Sequence, residues 1–77
     1  MDDVCRACLV TIDSFTRTNG YPPTLREICD ANGWPSVDLP KRHSLHLKRD
    51  KLIKLREKTA RSFVLTAAGK RALKEQE

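Results

Sequence analysis

Residues 52 to 65 read LIKLREKTARSFVL. Apolar and polar residues alternate from Leu52 to Arg56 and again from Ser62 to Leu65, and the residues between these two runs are mostly charged. Alternation over short runs is typical of β-strands with one buried face, and two such runs around a polar loop predict an antiparallel hairpin. Because side chains alternate between the two faces of a strand, the predicted buried residues are Ile53, Leu55, Phe63 and Leu65.

A long helix is predicted at the start of the chain. Between Asp3 and Thr18 the apolar residues recur at spacings of three and four, as they do on one face of a helix. Gly20 then provides a left-handed stop. The residues on this predicted face are Val4, Cys8, Leu9, Ile12 and Phe15.

Two further helices are predicted before the hairpin. Thr24 and Glu27 have the spacing of a capping box, which starts a short second helix. Gly33 adopts positive φ at low cost and turns the chain sharply after it. Ser36 is placed to cap a third helix that runs to about Asp50. Two helices joined by a tight glycine turn form the helix-turn-helix pattern.

A short helix is predicted after the hairpin, capped by Thr66 and ending at Lys74, with Gly69 weakening it by about 1 kcal/mol relative to Ala. The predicted fold class is therefore α+β, a winged helix-turn-helix with a three-helix core, a two-stranded β-hairpin wing and a short C-terminal helix. We expect a single domain over residues 1–77. The last helix is expected to lie against the domain through Ala67, Leu73 and the stems of Lys70 and Arg71.

The charge of the chain is unevenly distributed along it. Residues 1–40 carry 3 Lys/Arg and 6 Asp/Glu, a balance of −3, whereas residues 41–77 carry 12 and 4, a balance of +8, which together give the net +5. A folded domain built in this way is expected to present one basic face to a polyanion. A merely soluble basic surface is the alternative.

The composition of the chain argues against membrane-spanning, secreted and disulfide-rich proteins. No apolar run approaches the roughly 20 residues of a membrane span, and the acidic start of the chain does not fit a signal peptide. Three cysteines without an export signal argue against a disulfide framework. We expect a cytoplasmic protein with no membrane partner.

Two short motifs have the spacing of metal ligands. Cys5 and Cys8 form a CxxC, and His43 and His46 form an HxxH. Both pairs fall inside predicted helices, Cys8 is needed by the core, and Cys5 is expected to be exposed. We therefore expect no metal and no other cofactor. No oxyanion hole or third orienting group accompanies these residues, so we expect no enzyme and no small-molecule substrate.

Two stretches resemble a known family. Residues 20–28, GYPPTLREI, resemble the opening of helix 2 in the DNA-binding domain of LexA-type repressors, and residues 65–73, LTAAGKRAL, resemble the end of the wing in many bacterial winged-helix regulators. In LexA-like proteins the start of the third helix enters the major groove and the wing meets the DNA backbone. Pro40 departs from the family pattern and is compatible with a shifted helix start at Asp38 or Leu39. Lys41 and Arg42 are basic where LexA is acidic, so the operator sequence does not carry over. By position, the resemblance implies DNA contacts at Ser36, Asp38, Leu39, Lys41 and Arg42.

The third helix has a predicted outward face. If Leu47 points into the core, a step of about 100° per residue turns the opposite residues toward solvent. Near the helix start, Lys41 and Arg42 are suited to donate to guanine O6 and N7. Lys48 and Arg49, further along, are suited to hold phosphates. The outward residues are Asp38, Lys41, Arg42, Leu45 and Arg49, with His46 and Lys48 on the flanks.

Two residues of this face keep more than one interpretation. Leu45 lies opposite Leu47, so it meets a thymine methyl, fills a dimer contact, or indicates a wrong helical register. Asp38 either accepts from cytosine or caps a helix that begins at Pro40.

The predicted hairpin tip is cationic. Arg56, Lys58 and Arg61 surround it, and Lys54 precedes it on the first strand. These side chains are suited to phosphates or to the adjacent minor groove, and the alternative is an ordinary charged turn.

The leading hypothesis is a sequence-specific double-stranded DNA-binding protein, a bacterial or phage transcriptional regulator that acts as a repressor or an activator. A homodimer is compatible with it, since one such domain reads few base pairs. The alternative hypothesis is a protein–protein interaction module on a winged-helix scaffold. A DNA-binding protein needs its cations on one continuous face, whereas an adaptor exposes an apolar patch.

Overall fold

The computed structural model describes residues 3–55 and 63–75, and within them it has four helices and one two-stranded antiparallel sheet. This α+β arrangement is compatible with a winged helix. None of the helices in these two ranges is both long and apolar enough to cross a membrane. In chain order the elements are α1 (Asp3–Asn19), α2 (Leu25–Ala31), α3 (Asp38–Arg49), β1 (Ile53–Leu55), β2 (Phe63–Leu65) and α4 (Ala67–Glu75).

The first helix, α1, lies at the centre of the fold and packs against α2, α3, α4 and β2. Its buried residues are Cys5, Cys8, Leu9 and Ile12, which include the central part of the predicted face. The expectation that Cys5 is exposed is wrong, because its side chain is only 5% exposed. A helix that packs against several elements buries a stripe wider than one apolar face, and Cys5 lies on the side of that stripe where α3 packs.

The capping box at the start of α2 is confirmed. The Thr24 hydroxyl accepts from the backbone N–H of Glu27 at 3.1 Å, and the Glu27 carboxylate accepts from the backbone N–H of Thr24 at 2.8 Å. The first backbone N–H groups of a helix have no partner within the helix, and these two hydrogen bonds pair two N–H groups at this end. They matter more here because the helix is only seven residues long. Gly33 follows with φ +66°, as a sharp turn requires.

The turn between α2 and α3 is fixed by hydrogen bonds that the sequence did not reveal. The Asn32 side-chain amide donates to the Thr11 hydroxyl of α1 at 2.9 Å and to the Ile28 carbonyl at 2.8 Å. The Trp34 backbone N–H donates to the Cys29 carbonyl at 3.1 Å, and the Cys29 thiol donates to the Trp34 carbonyl at 3.2 Å. Trp34 also packs against the core. The turn is thus joined to both α1 and α2.

The third helix begins at Asp38, one of the two shifted starts that Pro40 indicated, rather than at a cap on Ser36. Val37 occupies the N-cap position without a side-chain bond, and the Ser36 hydroxyl accepts from the backbone N–H of Asp38 at 3.1 Å. Because Asp38 is itself the first helical residue, the interpretation that it caps a helix beginning at Pro40 is wrong. Pro40 lies in the first turn, where a missing N–H leaves no helical bond unmade, and it is buried.

The hairpin follows α3 after three residues. Ile53 and Phe63 are buried, at 2% and 6% exposure, and Leu55 and Leu65 are half-buried, so all four predicted inward residues are at least partly covered. The polar side chain of Lys54 is exposed between them, in agreement with the predicted alternation. The paired residues are Ile53 with Leu65, Lys54 with Val64, and Leu55 with Phe63.

Thr66 caps α4, as predicted. Its hydroxyl accepts from the Gly69 backbone N–H at 3.0 Å and donates to the Lys51 carbonyl at 2.7 Å. Leu73 packs against the core, as expected. The expectation for Ala67 is wrong, because the inward side of α4 is formed by Ala68, Gly69 and Ala72. Ala67, Lys70 and Arg71 are exposed.

Candidate nucleic-acid interface

The third helix is held by a narrow buried stripe. Pro40, Ser44 and Leu47 are buried, and Leu47 is only 1% exposed. Ser44 leaves no unpaired polar group in the core, because its hydroxyl donates to the Lys41 carbonyl at 2.8 Å in its own helix. The stripe leaves the opposite side of α3 to solvent.

The exposed side of α3 has the predicted orientation. Leu45 is 56% exposed while Leu47 is buried, so the interpretation that Leu45 indicates a wrong helical register is itself wrong. Ser36 is exposed just before the helix, and Leu39 is half-buried at its flank. We call the exposed side the outer face of α3, and its residues are Asp38, Lys41, Arg42, Leu45, Lys48 and Arg49.

The outer face is cationic, with four basic side chains and the single carboxylate of Asp38. The Arg49 guanidinium lies 3.5 Å from the Asp50 carboxylate, and both side chains are mostly exposed. Such an exposed ion pair contributes little stability, so another anion can easily replace Asp50 as the partner of Arg49. No carboxylate within residues 3–55 and 63–74 forms an ion pair with Lys41, Arg42 or Lys48. The face is therefore able to accept a polyanion without first breaking a strong ion pair.

Three large apolar side chains are exposed in the described parts of the chain. They are Val10, Tyr21 and Leu45, and they belong to α1, to the segment before α2 and to α3. Tyr21 is also in edge-to-face contact with Phe15, with ring centroids 5.8 Å apart. Single exposed apolar residues are ordinary, whereas an adaptor surface requires a contiguous patch.

The hairpin contributes one described cation. Lys54 is exposed on β1, on the face opposite the buried Ile53. Arg56, Lys58 and Arg61 lie outside the described residues, so the contribution of the hairpin tip stays a prediction.

One cluster joins residues that the sequence had placed in separate motifs. The Cys5 thiol lies 3.2 Å from Nδ1 of His43, and His46 adds its ring to the same group. The HxxH spacing was visible in the sequence, but Cys5 is 38 residues from His43, and no local pattern relates the two. These three side chains are the described residues best suited to hold a metal ion.

Comparison with known proteins gives one informative similarity. No protein-family model matches the chain. A curated LexA repressor from Ligilactobacillus salivarius (strain UCC118) is 39% identical over 64 residues, which is 83% of this chain and 31% of the repressor. The chain thus spans about a third of the length of this curated relative. The match supports a LexA-like helix-turn-helix region.

Proposed function

We propose that the chain is a sequence-specific double-stranded DNA-binding protein that regulates transcription in a bacterium or a phage. In this proposal α3 enters the major groove, the hairpin contacts the DNA backbone, and the chain acts as one domain without enzymatic activity. The cationic outer face of α3, in a chain whose curated relative is a LexA repressor, is the observation that carries the proposal.

The proposed role of each cation follows from its position along α3. Lys41 and Arg42 are one turn from the start of the helix, where a helix in the major groove contacts base edges, and they would donate to guanine O6 and N7. Lys48 and Arg49 are in the last turn and would hold phosphates. Ser36, Asp38 and Leu39 would approach the DNA at the helix start, and exposed Leu45 would meet a thymine methyl.

The hairpin completes the proposed interface. Arg56, Lys58 and Arg61 would hold phosphates or enter the adjacent minor groove, and Lys54 would assist them. If about six phosphates are neutralised in all, the logarithm of affinity falls with the logarithm of salt concentration at a slope of about −5, because each phosphate contributes about −0.9.

The test begins with selection of preferred sites from a random duplex pool at a stated salt concentration. Binding of the selected duplex and of an unrelated duplex is then titrated by fluorescence anisotropy. Loss of one bidentate base contact costs about 1–3 kcal/mol, so Arg42→Ala should weaken binding to the selected duplex by about 5- to 150-fold and affect the unrelated duplex much less. Arg61→Ala should weaken both similarly.

Arg17→Ala is the matched control. It removes the same single positive charge, but Arg17 lies in the last turn of α1, paired with Asp13 and about 18 Å along the helix from Cys5, which contacts α3. It should leave both affinities nearly unchanged. If Arg42→Ala and Arg17→Ala weaken DNA affinity equally, only the net charge of the protein matters. If Arg42→Ala and Arg61→Ala reduce the preference for the selected duplex equally, the division between base contacts and phosphate contacts is wrong.

The exposure of Leu45 favours a second candidate function, a protein–protein interaction module that uses α3 against another protein. A symmetric homodimer belongs to the DNA hypothesis instead, because pairing two domains doubles the site that is read. A selection that returns no preferred duplex, together with no measurable affinity for duplex DNA at moderate salt, would favour the interaction module, whereas equal affinity for all duplexes would indicate non-specific DNA binding. Sedimentation with and without the selected duplex would measure the oligomeric state.

A further inference from the structure

We propose that Cys5, His43 and His46 form a binding site for one divalent transition-metal ion of the zinc class. The site joins α1 to α3, and it differs from both local motifs in the sequence because it takes one residue of the CxxC and both residues of the HxxH. Cys8 is not part of it, since Cys8 is fully buried in the core. The proposal concerns these three side chains and does not depend on DNA binding.

The geometry fits a metal ion after small side-chain movements. The three ligand atoms all lie within 4.8 Å of one another, and the Cys5 sulfur is 3.2 Å from Nδ1 of His43. Tetrahedral zinc, with bonds of about 2.3 Å to sulfur and about 2.0–2.1 Å to nitrogen, holds its sulfur and nitrogen ligands roughly 3.6 Å apart. The observed cluster therefore needs a change of a few tenths of an ångström at the closest pair and of at most roughly 1.4 Å at the widest, which rotations of the two imidazoles provide.

The backbone already holds the ligands on facing surfaces. His43 and His46 are three residues apart on α3, so they lie on the same side of that helix, and their rings meet edge to face with centroids 5.5 Å apart. The Cys5 side chain is 5% exposed and also lies 3.9 Å from the backbone carbonyl oxygen of His43. Both histidines are half-buried, which leaves an entry path for the ion.

The donor set selects the class of metal. One thiolate and two imidazoles suit zinc and its neighbours in the first transition series, whereas magnesium and calcium require oxygen ligands. Three protein ligands leave a fourth tetrahedral position for water or another small ligand. Binding exchanges the thiol proton of Cys5 for the metal ion and releases the proton to solvent.

Occupancy would couple the metal to the position of α3. Any ligand that binds only the folded chain multiplies the folding equilibrium constant, by about 100-fold when its free concentration is 100 times its dissociation constant. Because Cys5 and His43 are 38 residues apart and belong to different helices, the metal would act as a cross-link between α1 and the helix that carries the cationic outer face.

The experiment uses the whole reduced chain, titrated with Co²⁺ under anaerobic conditions and then displaced by Zn²⁺. We expect one equivalent of Co²⁺ to give a thiolate-to-metal charge-transfer absorption that Zn²⁺ removes, and Zn²⁺ to raise the thermal unfolding midpoint. Cys5→Ser and His46→Gln should each weaken Zn²⁺ binding at least about 100-fold, since even the loss of an outer-shell partner costs 10- to 100-fold.

Cys29→Ser is the matched control, because Cys29 is similarly buried but bonds to Trp34 and lies outside the core cluster that contains Cys5. It should retain the absorption and the metal affinity. His46→Gln keeps the test decisive if Cys5→Ser does not fold, because His46 is half-buried at the edge of the cluster. Absence of the absorption in the unmodified chain, its loss in folded Cys29→Ser, or unchanged affinity in His46→Gln would each overturn the proposal.

Discussion

Replacing Gly69 by alanine should destabilise the protein, although alanine is the better helix former. A β-carbon at Gly69 would fall well inside contact distance of the Leu52 carbonyl oxygen, and it would lie 3.1 Å from the Leu52 carbonyl carbon and from Cδ2 of Leu65. The Leu52 carbonyl has little freedom to retreat, because it accepts from the Thr66 N–H at 3.1 Å while the Leu52 N–H donates to the Leu47 carbonyl at 2.9 Å. The added methyl group must therefore move α4 away from the start of the hairpin.

The magnitude follows from two opposing contributions. In an open helix interior, Gly→Ala stabilises by about 1 kcal/mol. Overpacking costs about 1–3 kcal/mol, and a clash with hydrogen-bonded backbone belongs at the upper end of that range. We expect a net loss of about 2 kcal/mol in the free energy of unfolding, which for a domain of this size lowers the unfolding midpoint by roughly 8–16 °C.

The assay is urea and thermal denaturation followed by far-ultraviolet circular dichroism. Lys70→Ala is the matched control, since Lys70 is the next residue of α4 but is exposed, and its replacement should change stability by less than about 0.5 kcal/mol. If Gly69→Ala raises the free energy of unfolding, helix propensity outweighs packing, and the close approach of α4 to Leu52 is refuted.

Further predictions concern the core, the turn and the interface. Leu47→Ala should lower the free energy of unfolding in urea by about 2–5 kcal/mol, whereas Leu45→Ala should change it by less than about 0.5 kcal/mol, and comparable losses would contradict the orientation of α3. Asn32→Ala should cost about 1–2 kcal/mol in the same assay, because it removes hydrogen bonds to α1 and α2, and no loss would show that these bonds do not hold the turn. Thr24→Ala should cost about 1 kcal/mol by loss of the capping box, a value that thermal denaturation would check and that an unchanged midpoint would contradict. Arg49→Ala should reduce the salt dependence of DNA affinity by about 0.9 in slope, and an unchanged slope would exclude Arg49 from phosphate contact.

Local chemistry explains what was predictable from the sequence. The capping box at Thr24 and Glu27, the turn at Gly33 and the cap at Thr66 each depend on residues a few positions apart, and each is present in the structure. The alternation around Ile53 likewise predicted the hairpin and its inward face. In each case the interaction that fixes the element lies within the element or at its end.

Features that depend on other elements were not predictable in this way. Gly69 looked like a weakness of α4 until its approach to Leu52 gave it a packing role. Cys5 looked exposed because apolar periodicity defines one face, whereas several elements cover α1. Its proximity to His43 depends on how two helices pack, which no spacing along either helix contains.

The short connection between α3 and the hairpin limits how a DNA-binding interface could be built. Asp50, Lys51 and Leu52 form it, and their backbone N–H groups donate to the His46, Lys48 and Leu47 carbonyls at 3.0, 3.0 and 2.9 Å. Lys51 has φ +61°, a conformation that is costly for any residue but glycine and that persists only where neighbouring bonds hold it. The Thr66 hydroxyl donates to the Lys51 carbonyl and so ties the other strand to the same connection. The hairpin is therefore fixed to α3 at both strands. A shift of α3 must move the base of the hairpin with it, whether a metal ion at the flank of α3 or a substitution in its buried stripe causes the shift.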